Sequence, residues 1–184
     1  MKPGARALGV AESYRGDRST LAGAVVRASR VVDGFAFASC AVGGTDATGA
    51  VVDLFRSLDR EDVRYVVVAG VALAWYNLLD LRAIHDAVDR PVISVTFEES
   101  DGLETAIREA FDGDDRDARL ATYRALPPRE ALSVNDESVF VRAVGCRSGE
   151  ARDVVRAYTP AGGRPEPVRV ARLAARAADA WHSG

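Results

Sequence analysis

Apolar and polar positions alternate in distinct regimes along the 184-residue chain. Ala5–Val10, Thr20–Ala28 and Val31–Ala41 are short runs rich in Val, Ala and Phe. Arg15-Gly16-Asp17-Arg18, within the polar turn Tyr14–Ser19, and Ser29-Arg30 separate them. Runs of this kind joined by short polar turns predict three strands in an antiparallel meander. From Ala47 to about Asp59 the period lengthens, and Val51, Phe55 and Leu58 fall on one helix face. Thr45 or Asp46 is the natural N-cap of that helix. Arg64–Ala69 and Pro91–Thr96 are continuous apolar runs, as expected of strands covered on both faces. Between them, Asn77–Val88 reads as a helix with Leu78, Leu81, Ile84 and Val88 inward.

The last third is less regular. Leu103, Ile107 and Phe111 mark a helix that runs into the acidic loop Asp112–Asp117. Arg116–Ala125 reads as a further helix, and Pro127-Pro128 breaks the chain. Val139–Val144 is expected as an edge strand, Ser148–Tyr158 as a helix and Pro160–Pro167 as a loop. Val168–Trp181 closes the chain as an amphipathic helix with Val170, Leu173, Ala174, Ala177 and Trp181 along one stripe, and His182 is expected to be disordered beyond it. Pro127–Ser138 is the one candidate hinge, but too little chain follows it for a second domain, so residues 1–184 read as one. Three meandering strands followed by helix, strand, helix, strand is the order of the ribonuclease-H-like fold. The expected class is therefore α/β, with a mixed five-stranded sheet and extra C-terminal helices.

Composition narrows the function classes. The formal net charge is −3, so no global basic field exists to hold nucleic acid, and any such contact needs local arginine patches. Of the 24 basic residues only Lys2 is a lysine, a bias typical of GC-rich coding, and arginine suits two-point contact with phosphate. No apolar run approaches a membrane span and Met1–Gly4 lacks a signal-peptide core, so a cytoplasmic protein is expected. Cys40 and Cys146 have no CxxC spacing, which excludes the usual zinc and redox motifs. Both read as buried apolar thiols. His85 and His182 sit in no Ser-His-Asp or Cys-His arrangement.

Gly9-Val10-Ala11-Glu12-Ser13-Tyr14 resembles the first-strand motif of endonuclease V. More closely, the chain is similar to the archaeal domain-of-unknown-function family 99, the endonuclease dU-like proteins. Val32-Asp33-Gly34, Gly44–Thr48, Ala69-Gly70 leading to Asn77–Asp80, Arg90–Ile93 and Pro165–Ala171 carry that resemblance in order. It implies the ribonuclease-H-like fold and an ancestry of Mg²⁺-dependent phosphodiester cleavage, with two metal ions clamping the attacking and leaving oxygens. It also implies aspartates where this chain has Ala11 and Ala69. Alanine offers no oxygen to Mg²⁺, so the resemblance implies impaired or lost cleavage with nucleic-acid binding retained. The alternative is a non-enzymatic scaffold or protein-interaction module on the same fold.

Three carboxylates are candidates for a rearranged catalytic group: Glu12, Asp46 and Asp80. If they rebuilt the site it would take Mg²⁺ or Mn²⁺; otherwise no cofactor is expected. Glu12 follows Ala11 on a strand and so points to the opposite face, unless a bulge turns it. Asp46 also reads as a helix cap, and Asp80 lies one turn into the second predicted helix. Candidate substrate contacts to DNA or RNA are Ser13 and Tyr14 at the strand end, Trp75 and Tyr76 as stacking surfaces, Asn77 and Arg169. Asn77 reads equally as the cap of the second helix. Arg164, Arg169, Arg172 and Arg176 are candidates to touch phosphate from one helix face, with a solvated face the plainer reading for Arg172 and Arg176 and Arg169 favoured because it falls in the family motif.

Overall fold

The structure is a computed structural model that describes residues 1–182. Strands β1 (Arg6–Arg15), β2 (Arg18–Arg27) and β3 (Val32–Ala41) form the predicted meander. Helix α1 (Ala47–Ser57) leads to β4 (Val63–Ala69), followed by the small hairpin β5 (Ala72–Leu73) and β6 (Asn77–Leu78). Helix α2 (Leu81–Val88), strand β7 (Val92–Thr96) and helices α3 (Glu104–Ala110) and α4 (Gly113–Arg124) come next. Strands β8 (Glu130–Val134) and β9 (Glu137–Val144) precede helices α5 (Ser148–Tyr158) and α6 (Glu166–His182).

The main sheet has the order β3-β2-β1-β4-β7-β9-β8. β1, β4 and β7 run parallel at its centre, and the remaining pairs are antiparallel. Side chains alternate across it. Leu8, Val10, Val66 and Val68 pack with α1 and α2 on one face. Ala7, Val67, Ile93 and Val95 pack with α5 on the other. There the buried Tyr158 hydroxyl donates to the Ala5 carbonyl at 2.7 Å, tying α5 to the start of the central strand. α6 approaches β1 closely: a Cβ built on Gly9 would lie 2.1 Å from the Pro167 carbonyl carbon. Among the described residues no helix is long and apolar enough to cross a membrane.

Several expectations are corrected. β1 runs on to Arg15, because Arg15 pairs with Arg18 around a two-residue turn and hairpin pairing extends both strands. The second helix starts at Leu81 and not at Asn77, since Asn77-Leu78 pairs with Ala72-Leu73. Asp80 is its N-cap, accepting from the Ala83 N–H at 2.9 Å. The stretch Asp112–Asp117 is not a loop; its acids occupy the first turn of α4, where the helix dipole favours them. The candidate hinge holds strand β8, turned into β9 by Asn135-Asp136 with positive φ at both residues. Val139–Val144 is consequently an interior strand, the sheet has seven strands instead of five, and β3 and β8 are its edges. His182 lies in the last turn of α6.

Asp33 on β3 gathers the arginines of this end of the sheet. It accepts from Arg27 at 2.7 Å and from Arg6, with Arg60 at 3.9 Å. The Arg27 hydrogen bond, then that of Arg6, outweigh desolvation and hold its carboxyl down to about 2. A lowered carboxylate pKa stabilises the fold above the unfolded value near 4 and loses that contribution as pH falls toward 2. Asp33→Asn is expected to lower the melting temperature at neutral pH and to flatten the decline in stability between pH 4 and 2, measured by thermal melts across that range. Gly9→Ala is expected to cost about 3 kcal/mol, because backbone and not a pliable side chain fills the space. Urea unfolding measures that loss.

Candidate functional site

Strands β1 and β4 are adjacent and parallel, with Val10 opposite Val68. One residue on, Ala11 and Ala69 meet on the α6 face. Ala11, Ala24, Val26 and Ala171 form a buried cluster against which Ala69 packs. Ala171 belongs to α6, so the helix covers the buried Ala11 with methyl groups, while Ala69 is half-buried. No oxygen donor stands at either alanine. Among the described residues, no three His, Cys, Asp or Glu side chains come together as a metal-binding group. The donor set present does not fit a divalent-metal centre.

The predicted carboxylates lie elsewhere. Glu12 points away from Ala11, as strand alternation requires, and accepts from the Ser19 hydroxyl at 2.7 Å. Asp46 accepts from the Ala41 N–H at 3.0 Å and from Asn77 Nδ2 at 2.8 Å. Burial opposes its ionisation, yet the bonds from Asn77 and Ala41 hold its carboxyl below the usual range. Burial, then the charges of Asp46 and Glu12, push the Cys40 thiol up to about 11, which keeps it protonated and unreactive. Asp80 caps α2 and joins this region only through its N–H, which donates to Thr48 Oγ1 at 2.9 Å.

Asn77 is fully buried, with its amide consumed by the fold. Its Oδ1 accepts from the first amide of α1, Ala47, at 2.9 Å, and its Nδ2 donates to the Ala41 carbonyl at 2.9 Å. It therefore serves the N-terminus of α1 and not of α2, because β5–β6 pairing carries it beneath that end. His85 is likewise occupied, its Nδ1 lying 2.8 Å from the Arg90 carbonyl.

Ser13 sits on the α6 face and donates to Asp179 at 3.1 Å, while Tyr14 is exposed. Asp179 is a buried carboxylate that also meets Arg15 at 3.3 Å. Sequence reasoning passed over it; an aspartate on the alanine stripe of α6, four residues after Ala175, was the available signal. Trp75 is half exposed and contacts Tyr76 and Phe111. Ala74, Trp75 and Tyr76 all have positive φ, which costs energy in non-glycine residues. The buried Arg119 braces this turn, donating to the carbonyls of Tyr76, Gly43 and Gly44 and stacking on Phe111. Arg169 is tied to Glu166 by two hydrogen bonds of 2.6 and 2.7 Å.

A cleft of 460 Å³ opens at the C-terminal ends of β4 and β7, beside Ala69, Gly70 and Thr96. Crevices at the carboxyl ends of parallel strands are the habitual ligand sites of α/β sheets. Of the residues weighed from the sequence only Arg164 and Arg172 line it; Glu12, Asp46, Asp80, Ser13, Tyr14, Trp75, Tyr76, Asn77 and the favoured Arg169 do not. Its cations are Arg129, Arg142, Arg164 and Arg172, against one acidic lining residue, Glu98. None of the four makes an ion pair among the described residues; exposed arginines elsewhere, such as Arg56 and Arg82, are likewise unpaired, and what sets these four apart is that they share one concave site. Burial holds Arg142 and Arg164 below the ordinary arginine value, and Arg172 adds to this at Arg164. Arg129 covers Phe140 and Arg164 covers Phe97, at 3.9 and 4.1 Å from the ring centroids. The cleft can hold an anion; it offers no paired nucleophile and base.

Known proteins place this geometry in a family. A protein of unknown function from Archaeoglobus fulgidus superposes with a TM-score of 0.82 at 26% identity, covering 94% of this chain and 97% of that one. Human ENDOV gives 0.67 at 16% identity, over 97% and 86% of the two chains. Endonuclease V from Ciona intestinalis, solved in complex with DNA containing an inosine followed by a ribo-adenosine, gives 0.63 at 12%, over 94% and 85%. The likeness to both endonuclease V structures establishes the fold, which is ribonuclease-H-like. A UPF0215 protein of Pyrobaculum aerophilum is 33% identical over 175 residues, 93% of this chain and 92% of its own. Another from Methanopyrus kandleri is 30% identical over 182 residues, 95% of this chain and 91% of its own. With the Endonuclease dU family profile matching residues 3–179, nearly the whole sheet and its helices, the chain belongs to the Endonuclease dU family.

Proposed function

We propose that this protein binds nucleic acid in the arginine-lined cleft and that its metal-dependent phosphodiester cleavage is impaired or lost. The observation that carries the reading is the cleft itself, which gathers four arginines that make no ion pair among the described residues beside the ends of β4 and β7. Uncompensated guanidinium groups in a concave site attract phosphate, even on a chain whose net charge is −3. The inosine-containing DNA bound by the Ciona intestinalis protein of the same fold supports a nucleic-acid ligand. The apolar cluster of Ala11, Ala69 and Ala171 supports the loss of cleavage, since Mg²⁺ needs oxygen ligands.

Glu12, Asp46 and Asp80 have separate hydrogen-bonding duties, which counts against a rebuilt centre. Ser13, Tyr14, Trp75 and Tyr76 remain proposed as outer contacts to a bound strand, the exposed Trp75 ring being the best placed to stack.

Titration calorimetry is expected to give no heat with Mg²⁺ or Mn²⁺ for the native chain and to give binding for Ala11→Asp/Ala69→Asp, with circular dichroism confirming that the variant folds. Micromolar Mg²⁺ binding by the native chain, with cleavage of inosine- or deoxyuridine-containing DNA, would sink the reading. Single-stranded DNA binding is expected to persist in EDTA. With about three phosphate contacts, its affinity is expected to fall roughly twentyfold between 50 and 200 mM salt. Fluorescence anisotropy measures both.

A further inference from the structure

The four cleft arginines differ in what their donors do. Arg129 gives its hydrogen bonds to Thr96 Oγ1 and to the Ser100 and Glu98 carbonyls. Arg142 gives its own to the Pro127 carbonyl and the Tyr123 hydroxyl. Both arginines thereby brace the walls. Arg164 and Arg172 make no hydrogen bond or ion pair to another side chain or carbonyl among the described residues. Arg164 stands in the loop before α6 with its guanidinium carbon 4.1 Å from the centroid of the Phe97 ring. Arg172 rises from the exposed side of α6, close enough for its charge to act on Arg164.

Two cations facing one cleft repel each other, and the one acidic lining residue, Glu98, makes no ion pair with either among the described residues. A shared anion reverses that term, and planar guanidinium groups suit phosphate oxygens at two points each.

We propose that Arg164 and Arg172 form a seat for one phosphate group, filled without a metal ion. The seat deepens the nucleic-acid reading and rests on it for what carries the phosphate, an internal phosphodiester or a terminal phosphomonoester. It lies beside Ala69 and Gly70, at the strand end where the family resemblance implies metal-bound chemistry. The arginines would then supply by fixed charge the hold on phosphate that Ala11 and Ala69 do not support.

The test uses the full chain, inorganic phosphate, and one short single-stranded DNA bearing either a 5′-phosphate or a 5′-hydroxyl. Arg164→Gln and Arg172→Gln are each expected to weaken DNA binding about tenfold and to reduce the salt slope by about one. Arg152→Gln, which removes a charge paired with Glu130 on α5, is expected to leave binding unchanged. Inorganic phosphate is expected to compete for the native protein and not for the double variant, in EDTA as in its absence. Tighter binding of the 5′-phosphorylated strand assigns the seat to a terminal group, and equal binding to an internal one. Native-like DNA binding by the double variant would overturn the seat while leaving the nucleic-acid reading in place. Phosphate binding that needs both arginines, without any DNA binding, would keep the seat and overturn that reading. Arg172 is exposed, so Arg172→Gln carries the test should loss of the Phe97 stack disturb folding in Arg164→Gln.

Discussion

The backbone of α6 lies directly on β1, and much of the molecule's character depends on that contact. It requires a residue without a side chain at Gly9. It brings Ala171 over Ala11 and Ala69, and the same helix carries Arg172 to the cleft at the end of β4. One close approach thus covers the spot where the family resemblance implies metal ligands and supplies a cation to the cleft beside it. Farther along the same face, Asp179 reaches Ser13 and Arg15 at the end of β1.

The arginines of two places differ in what they face. Around Asp33 they converge on a carboxylate and neutralise it, and Arg119 spends its charge bracing a strained turn. At the cleft they face one another and aromatic rings. Charge without a partner is costly inside a fold, and its concentration at one concave place is the physical sign of a ligand site. Net charge averages over both places and conceals the second. The acidic overall balance therefore gives no guide to what the cleft attracts.

The meander, α1, the buried strands β4 and β7 and α5 are legible along the chain because each buries a face with its own period. Helix α6 is legible as a helix but its stripe is not, since Leu173 and Trp181 are exposed while Val168, Ala171, Ala175 and Asp179 are buried against β1 and β2. Strand β8 is not legible beside Pro127-Pro128, which mark a break, and its hairpin signal lies in Asn135-Asp136, whose positive φ turns it into β9. The duty of Asn77 is not legible either: a cap read from sequence is assumed to be local, while this side chain reaches back thirty residues to Ala47.

The sequence by itself determined the family, the order of the central elements, the alanines at positions 11 and 69, and the opposite facing of Glu12 and Ala11. Those properties follow from residue identity and from a repeat of two or of 3.6 residues, which any stretch of chain carries within itself. Tertiary structure decided which arginines share a cleft. Arg129, Arg142, Arg164 and Arg172 come from a loop, a strand, another loop and a helix, and only packing brings them together. Arg169 lies in the recognisable motif, yet its partner Glu166 lies one helical turn away and claims its charge. Whether a charge is free depends on what lies within a few ångströms in space, a distance that position along the chain does not encode.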